Sequence, residues 1–476
     1  MSLVIRNADL GDTVNPRSPW PRLLMDVRLD HGVVVSIGPS VAVESGDDVI
    51  DAAGGALLPG LHDHHLHLAA LAASLDSVRV GPPEVRNPRE FRRALQMAAA
   101  STDSWVRAVG YHESVSGALD RAVLDATVAD RPVRVQHRSG AEWVLNSRGV
   151  EWVGLDALAH VGVERDPSGR PTGRVRDIDT VLRPRWSEGP PDLVPAARRL
   201  SAHGVTGITD ATPYATLDEL AILADPGIAL RVMVTGSPAV VPAMGPELVS
   251  SMVRVGPAKI VVADHALPDL DDLVAAYRLA RQHGRTVAVH CVTRIGLLLA
   301  LAAWDDVGAM EGDRIEHGAV IDASSLTRIA ELGLVVVTQP NFVAERGDRY
   351  LDDVDRDDVG DLYRCGSLLA NGVRVGGSTD APFGAPDPWA AMRAAVSRRT
   401  SDGRLVGPEE RVGASAALRM FLSDPTTPGG PARRLEVGQP ADLCLLDRPV
   451  SELLETLSPE VRLTVVGGRI VHRMFS

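Results

Sequence analysis

Apolar and polar positions change their period twice along this chain. Over roughly the first 60 residues they form short runs, "SLVIRNADL", "LLMDVRLDHGVVVSIG" and "DDVIDAAGGALLPG", separated by Gly and Asp, the pattern of strands joined by turns. The end of the chain repeats it in "PADLCLLDRP" and in "VRLTVVGGRIVH", the latter a hairpin broken at Gly467-Gly468. Two strand-rich ends around a different middle predict one composite β-sandwich domain built from residues 1–58 and 431–476.

The middle alternates. Apolar β-type runs occur at "GVTGITDA" (204–211), "ALRVMVTG" (229–236), "PAKIVVAD" (257–264), "RTVAVHC" (285–291), "DRIEHG" (313–318), "GLVVVTQP" (333–340) and "VRVGGSTD" (373–380). Helix-like stretches such as "DLDDLVAAYRLARQHG" and "DASSLTRIAELG" lie between them, both ending on Gly. Strand–helix alternation implies parallel strands with crossover helices. With "LLPGLHDHHLH" (57–67) as the first strand the count is eight, which fits an α/β fold of the (β/α)8 TIM-barrel type over 59–71 and 199–430. A doubly wound open sheet is the second choice. The long gap after His67 predicts an inserted subdomain, 72–198, with strands in "SWVRAVGY" and "RPVRVQHR", a turn-rich tail "ERDPSGRPTGR", and a role as substrate cover.

Composition narrows the class. The chain has 476 residues and a net charge of −13, an acidic balance that argues against a nucleic-acid or anionic-membrane partner. No apolar run approaches the ~18 residues of a membrane span, and the first residues lack the basic-then-apolar pattern of a signal peptide. Three scattered cysteines, Cys291, Cys365 and Cys444, suggest no disulfide framework, so a cytoplasmic location is expected. Lysine and arginine total 49, yet Lys259 is the single lysine, leaving 48 arginines. Replacing Lys by Arg changes little on a surface, but not where chemistry needs an amine that can lose its proton. Lys259 is therefore either chemically required or the last survivor of a drift in composition.

Candidate chemistry collects at the predicted strand ends. In "DHHLH", His65 and His67 are two apart and share a side of a strand, which makes half of a metal site. His62 and His64 have the opposite parity and are expected to pack away from the barrel axis. Lys259 lies on the fourth strand; His290 ends the fifth, His317 the sixth and Asp380 the eighth. Singly, each reads as well as a core histidine or a turn residue. Together, in order and all at strand ends, they point to a metal centre.

That order, with Pro59-Gly60-Leu61-His62-Asp63-His64-His65-Leu66-His67 on strand one, resembles the amidohydrolase superfamily. The closing "GQPADLCLLD" and "VVGGRIVH" look like its final β-strands. The insert with "HRSGAEWVLNS" and "HGVTGITDA" looks like its long-insert branch, amidohydrolase family 3, which includes N-substituted formamide deformylases. The resemblance implies two divalent metal ions, with Zn²⁺ as the expected metal. His65, His67 and Asp380 would hold one, and His290 and His317 the other. Lys259, carrying CO₂ as a carbamate, would bridge them with a hydroxide. Arg cannot play that part, because its guanidinium does not deprotonate in proteins.

The activity implied is hydrolysis of a non-peptide C–N bond, an amide, N-acyl, N-formyl or cyclic amide, by a metal-bound hydroxide, with Asp380 as catalytic base and then acid. The partners expected are a small-molecule substrate and a second copy of the chain in a homodimer. Loops and insert offer Tyr111, His112, Glu113, His137, Arg138, Trp143, Gln339, Asn341, Glu345 and Arg346. Of these, His137, Gln339, His112 and Arg346 are the candidate substrate contacts, against a reading as loop solvation and packing. Cys291 is expected in the core. Rival readings are a mononuclear deaminase, in which Thr293 would be Glu and Lys259 idle, a lactonase or phosphotriesterase on the same metal site, and a non-catalytic binding protein on a barrel scaffold.

Overall fold

The structure is a computed structural model that describes residues 2–11, 24–102, 104–186, 189–213, 216–240 and 252–474. Its centre is an eight-stranded parallel sheet: β1 (Leu61–Leu66), β2 (Val205–Asp210), β3 (Arg231–Gly236), β4 (Val253–Val261), β5 (Val287–Cys291), β6 (Arg314–His317), β7 (Val335–Thr338) and β8 (Arg374–Gly377). Neighbours follow chain order, so each connection is a crossover to the adjacent strand. Strands such as β7, VVVT, are buried throughout, as expected where both faces are covered.

The sheet is nearly closed into a barrel, and the closure explains part of the site. At the start of β1 and the end of β8 the amides of His62 and Gly377 do not pair with each other; they donate to the carbonyls of Phe421 (2.8 Å) and Met420 (2.9 Å). Beyond these residues the two segments join. Asp380 N–H donates to His65 O at 2.9 Å and His67 N–H to Ala381 O at 2.9 Å. The chemistry-bearing ends of β1 and β8 are thereby locked together.

The crossover helices Leu270–Gln282 and Ala323–Leu332 match the expected stretches. The second starts where Asp322 accepts the amides of Ser324 and Ser325 and stops at Gly333, whose φ of 66° is left-handed.

Three sequence expectations need correction. The run 57–67 is not one strand. Leu57–Pro59 pairs antiparallel with Leu443–Leu446, and the barrel strand begins only after Gly60. A Cβ on Gly60 would lie 2.0 Å from Thr206 Cγ2, so only glycine lets the chain pass from one sheet to the other there. The fourth strand runs 253–261, shifted from 257–264. Asp380 does not end β8 but follows it by three residues, in a left-handed conformation (φ 54°).

Residues from both chain ends form two four-stranded sheets. One has the order Val33–Gly38, Leu24–Asp30, Leu3–Asp9, Asp48–Asp51, and the other Arg469–Arg473, Val461–Val466, Leu443–Leu446, Leu57–Pro59. They share a core that includes Leu3, Ile5, Val27, Leu29, Leu443, Leu445, Leu463 and Val465.

Residues 69–192 form a separate compact unit. Its six-stranded sheet has the order Val163–Arg165, Pro171–Arg176, Glu142–Leu145, Val133–His137, Val106–Tyr111, Val78–Arg79. The last three strands are parallel and the others antiparallel. The expected turn-rich tail is in fact the hairpin that ends this sheet, tightened by Asp166, which accepts from the amides of Ser168 and Arg170. Trp143 is buried here, with its indole N–H donated to Asp179. Among the described residues no helix is long and apolar enough to cross a membrane.

Candidate metal centre

His65 and His67 leave β1 on one side, as their spacing requires, with ring centroids 5.4 Å apart. Asp380 Oδ1 lies 3.6 Å from His65 Nε2 and 3.4 Å from His67 Nε2. These three residues form a group able to hold a metal ion. The rings of His65 and His317 approach to 4.6 Å, and those of His317 and His290 to 4.5 Å. Lys259 is buried on β4 opposite Ala288 of β5, which shares a strand face with His290, so it joins the same neighbourhood.

Burial sets the electrostatics. It drives His65 and His317 well below the usual histidine value and His290 down to about 3, with neighbouring positive groups adding to the effect. Burial likewise lowers Lys259. Neutral imidazoles with lone pairs and an amine displaced toward neutrality are the states that metal ligation and carbamate formation require.

Three of the rings are aimed by their other nitrogen. His65 Nδ1 bonds to Glu316 Oε2, His67 Nδ1 to Thr212 Oγ1 at 2.9 Å, and His317 Nδ1 to Gln339 Oε1 at 2.8 Å. Such partners fix tautomer and ring orientation in metal sites. Glu316 is braced in turn by Arg314, with Nε 2.5 Å from Oε1, both fully buried. Asp63 fixes the loop before Asp380 by accepting from Thr379, and burial pushes its carboxyl up to about 7. Two of the predicted residues, His317 (φ 70°) and Asp380 (φ 54°), sit in left-handed backbone, which costs about 1–3 kcal/mol each and clusters at functional sites.

The residues expected to contact substrate are placed as follows. The Gln339 amide is committed to His317 on its oxygen and to Ser378 Oγ (2.9 Å) on its nitrogen. Arg346 donates to Phe383 O at 2.6 Å and lies 4.1 Å over the Phe342 ring. Asn341 donates to Thr379 O, and Glu345 accepts from Ala385 N–H. All four therefore brace the segment around Asp380. His112 and His137 lie in the inserted unit, where they gather with Glu113. His62 and His64 are buried, bonded to Thr209 and Ser423 respectively, as packing residues should be. Cys291 is buried, and burial pushes its thiol up. Thr293 caps the helix Arg294–Val307 by accepting from Gly296 N–H.

Sequence reasoning missed Glu316, Arg314, Thr212 and Thr379. Arg314 and Glu316 carried a signal: two opposite charges at i and i+2 of an otherwise apolar strand must share a face and be paired when buried.

Comparison with known proteins finds relatives along most of the chain. A family described as "Amidohydrolase family" matches residues 48–472. The N-substituted formamide deformylase of Arthrobacter pascens is 26% identical, across 94% of this chain and 93% of that protein. A putative amidohydrolase of Bacillus subtilis is 24% identical, across 73% of this chain and 74% of its own. An uncharacterized metal-dependent hydrolase from Pyrococcus horikoshii has the same fold, with a TM-score of 0.72 at 20% identity, covering 95% of this chain and 98% of its own.

Proposed function

Starting from a chain that belongs to the amidohydrolase family, we propose that it hydrolyses the C–N bond of a small N-formyl or N-acyl amide at a centre of two divalent ions. Family membership supports the broader statement, a metal-dependent hydrolase of carbon–nitrogen bonds. One observation carries the finer reading. His65 Nε2, Lys259 Nζ and Asp380 Oδ1 are buried without any hydrogen-bond partner. Other buried side-chain atoms also lack a hydrogen-bond partner, Glu316 Oε1 and Arg314 Nε among them, but these three belong to candidate ligands, and leaving a buried polar atom unpaired costs roughly 1–3 kcal/mol. Three such atoms among mutually close residues fit a bound cation.

In this reading His65, His67 and Asp380 would hold one ion and His290 and His317 the other, and Lys259 would serve both as a carbamate. The carbamate forms when the neutral Lys259 amine adds to CO₂ and loses a proton. Nitrogen and oxygen donors of this kind suit Zn²⁺. When bound, such ions acidify water and polarise a carbonyl. The protein's own work is to move the proton. Asp380 takes it from the attacking water and returns it to the departing nitrogen, without which an amide nitrogen leaves poorly. Glu316, Thr212 and Gln339 keep the imidazoles aimed while this happens.

The substrate class rests on two supports. The Arthrobacter pascens relative is named for deformylation of N-substituted formamides. Beside His67 stands an apolar wall: Phe383, 5.5 Å away between ring centroids, packs on the cluster of Phe342, Leu362 and Tyr363. Such a wall suits an apolar substituent on the scissile nitrogen. The test is a panel of N-formyl, N-acyl and cyclic amides, lactones and phosphotriesters offered to the metal-loaded enzyme. Release of formate or carboxylate with an amine, abolished by chelation, is expected. Turnover of the esters alone, or amide turnover unaffected by chelation, would overturn the reading.

A further inference from the structure

The inserted unit carries its own cluster of ligating side chains. Strands Val106–Tyr111 and Val133–His137 run parallel, with Tyr111 opposite His137, so their carboxyl ends emerge side by side. Each end continues with the same short pattern, His-x-Ser: His112-Glu113-Ser114 and His137-Arg138-Ser139. The pattern repeats in structure. His112 Nδ1 lies 2.9 Å from Ser114 Oγ, and His137 Nδ1 lies 2.8 Å from Ser139 Oγ. The serine amides donate to the same two Nδ1 atoms, at 3.2 Å in both cases.

This anchoring turns both Nε2 atoms the same way. The rings face each other at 5.9 Å with 32° between their planes. Glu113 enters between them, its Oε2 3.2 Å from His137 Nε2 and 3.9 Å from His112 Nε2. One donor atom from each residue lies within 4.8 Å of the other two.

We propose that His112, His137 and Glu113 form a separate binding site for one divalent transition-metal ion. Two imidazole nitrogens and one carboxylate oxygen are the donors that Zn²⁺, Ni²⁺ and Cu²⁺ take, and three protein ligands leave a position open for water or a ligand. The amide bonds to Nδ1 place the proton of each neutral ring on Nε2, so metal binding requires it to move to Nδ1, where the serine hydroxyl accepts it in place of the amide bond, and the Nε2 lone pair then goes to the metal. The Glu113 side chain is half exposed, so an ion can reach the site from solvent. In the absence of metal the Glu113 carboxylate accepts from His137 Nε2–H, with His112 Nε2 3.9 Å away, and this is the arrangement the experiment must distinguish.

The test uses the full-length, tag-free enzyme, dialysed after loading with Zn²⁺. Elemental analysis should show one ion fewer per chain in His112→Gln and in His137→Gln than in the wild type. Titration of partly stripped enzyme with Cu²⁺, followed by electron paramagnetic resonance, should give a signal with nitrogen coupling from two imidazoles that is absent from both variants. Circular dichroism checks that the variants fold. Glu113→Gln, in a half-exposed position that tolerates the amide, should weaken the same ion by at least about 10-fold, the low end of what loss of even a partner behind a ligand costs. Equal metal content in the wild type and all three variants, or a copper signal that survives in them, would overturn the proposal.

Discussion

Thr379 and Asp63 are joined twice: the Asp63 carboxylate accepts from the Thr379 hydroxyl at 2.5 Å and from its amide at 3.2 Å. Asp63 is on β1, and Thr379 immediately precedes Asp380, so this pair sets the position of Asp380 relative to His65 and His67. Thr379→Val keeps the shape and removes the hydroxyl donor to a buried carboxylate. It should cost roughly 1–3 kcal/mol in unfolding free energy of the metal-free protein. Metal should also be held less tightly. Denaturant unfolding and a competition titration with a chelator measure the two effects.

Asp380→Asn tests proton transfer. If Asp380 is the base and then the acid, kcat should fall on the order of 10²–10⁴-fold. The carboxylate is also a candidate ligand, so metal content has to be measured on the same sample. A variant that keeps its metal and its turnover contradicts the assignment.

Lys259→Arg keeps the charge and discards the chemistry. An essential carbamate predicts loss of metal and activity together, whereas a structural cation would tolerate the change. Lys259→Ala should lose both as well, with partial recovery in acetate or propionate, which can fill the gap with a carboxylate. Elemental analysis and turnover, each with and without the added acid, read the result.

Glu316→Gln probes the aim of His65. Its carboxylate meets His65 Nδ1 and is braced by Arg314. Removing the charge should weaken metal binding about 10–100-fold, the usual scale for a partner behind a ligand. Because the change also leaves Arg314 buried without its counter-charge, Glu316→Asp, which shortens the side chain but keeps the charge, should fall between the two.

Much of the fold could be read from the chain because local patterns agree with it. The strand runs from "GVTGITDA" to "VRVGGSTD" are mostly buried, and most of them read as largely apolar segments. What escaped was set by distant contacts. Nothing local in "LLPGLHDHHLH" says that Leu57–Pro59 pairs with Leu443–Leu446, nearly 400 residues on; the split follows from Thr206 pressing on Gly60. Asp380 looked like a strand end because it closes the run "VRVGGSTD", but the Thr379 and Asp380 amides are taken by Asp63 and His65 rather than by a ladder.

The site was legible in the same uneven way. The parity of His65 and His67 and the placing of Lys259, His290 and His317 on successive strands needed only the period of a strand. The groups behind them needed the fold. Gln339 read as a candidate substrate contact in a loop, and its bond to His317 could not be seen before the two were side by side. Thr212, just past β2, had no distinguishing mark in the sequence.

The central claim is a pair of metal ions around a carboxylated Lys259. An anomalous-difference map from crystals of the metal-loaded enzyme, recorded at the zinc absorption edge, tests it most directly. Two peaks are predicted, one bounded by His65, His67 and Asp380 and one by His290 and His317, with density for an added carboxylate on Lys259 Nζ between them. A map without peaks among these residues, or one showing Lys259 as a plain amine beside a single ion, would contradict it.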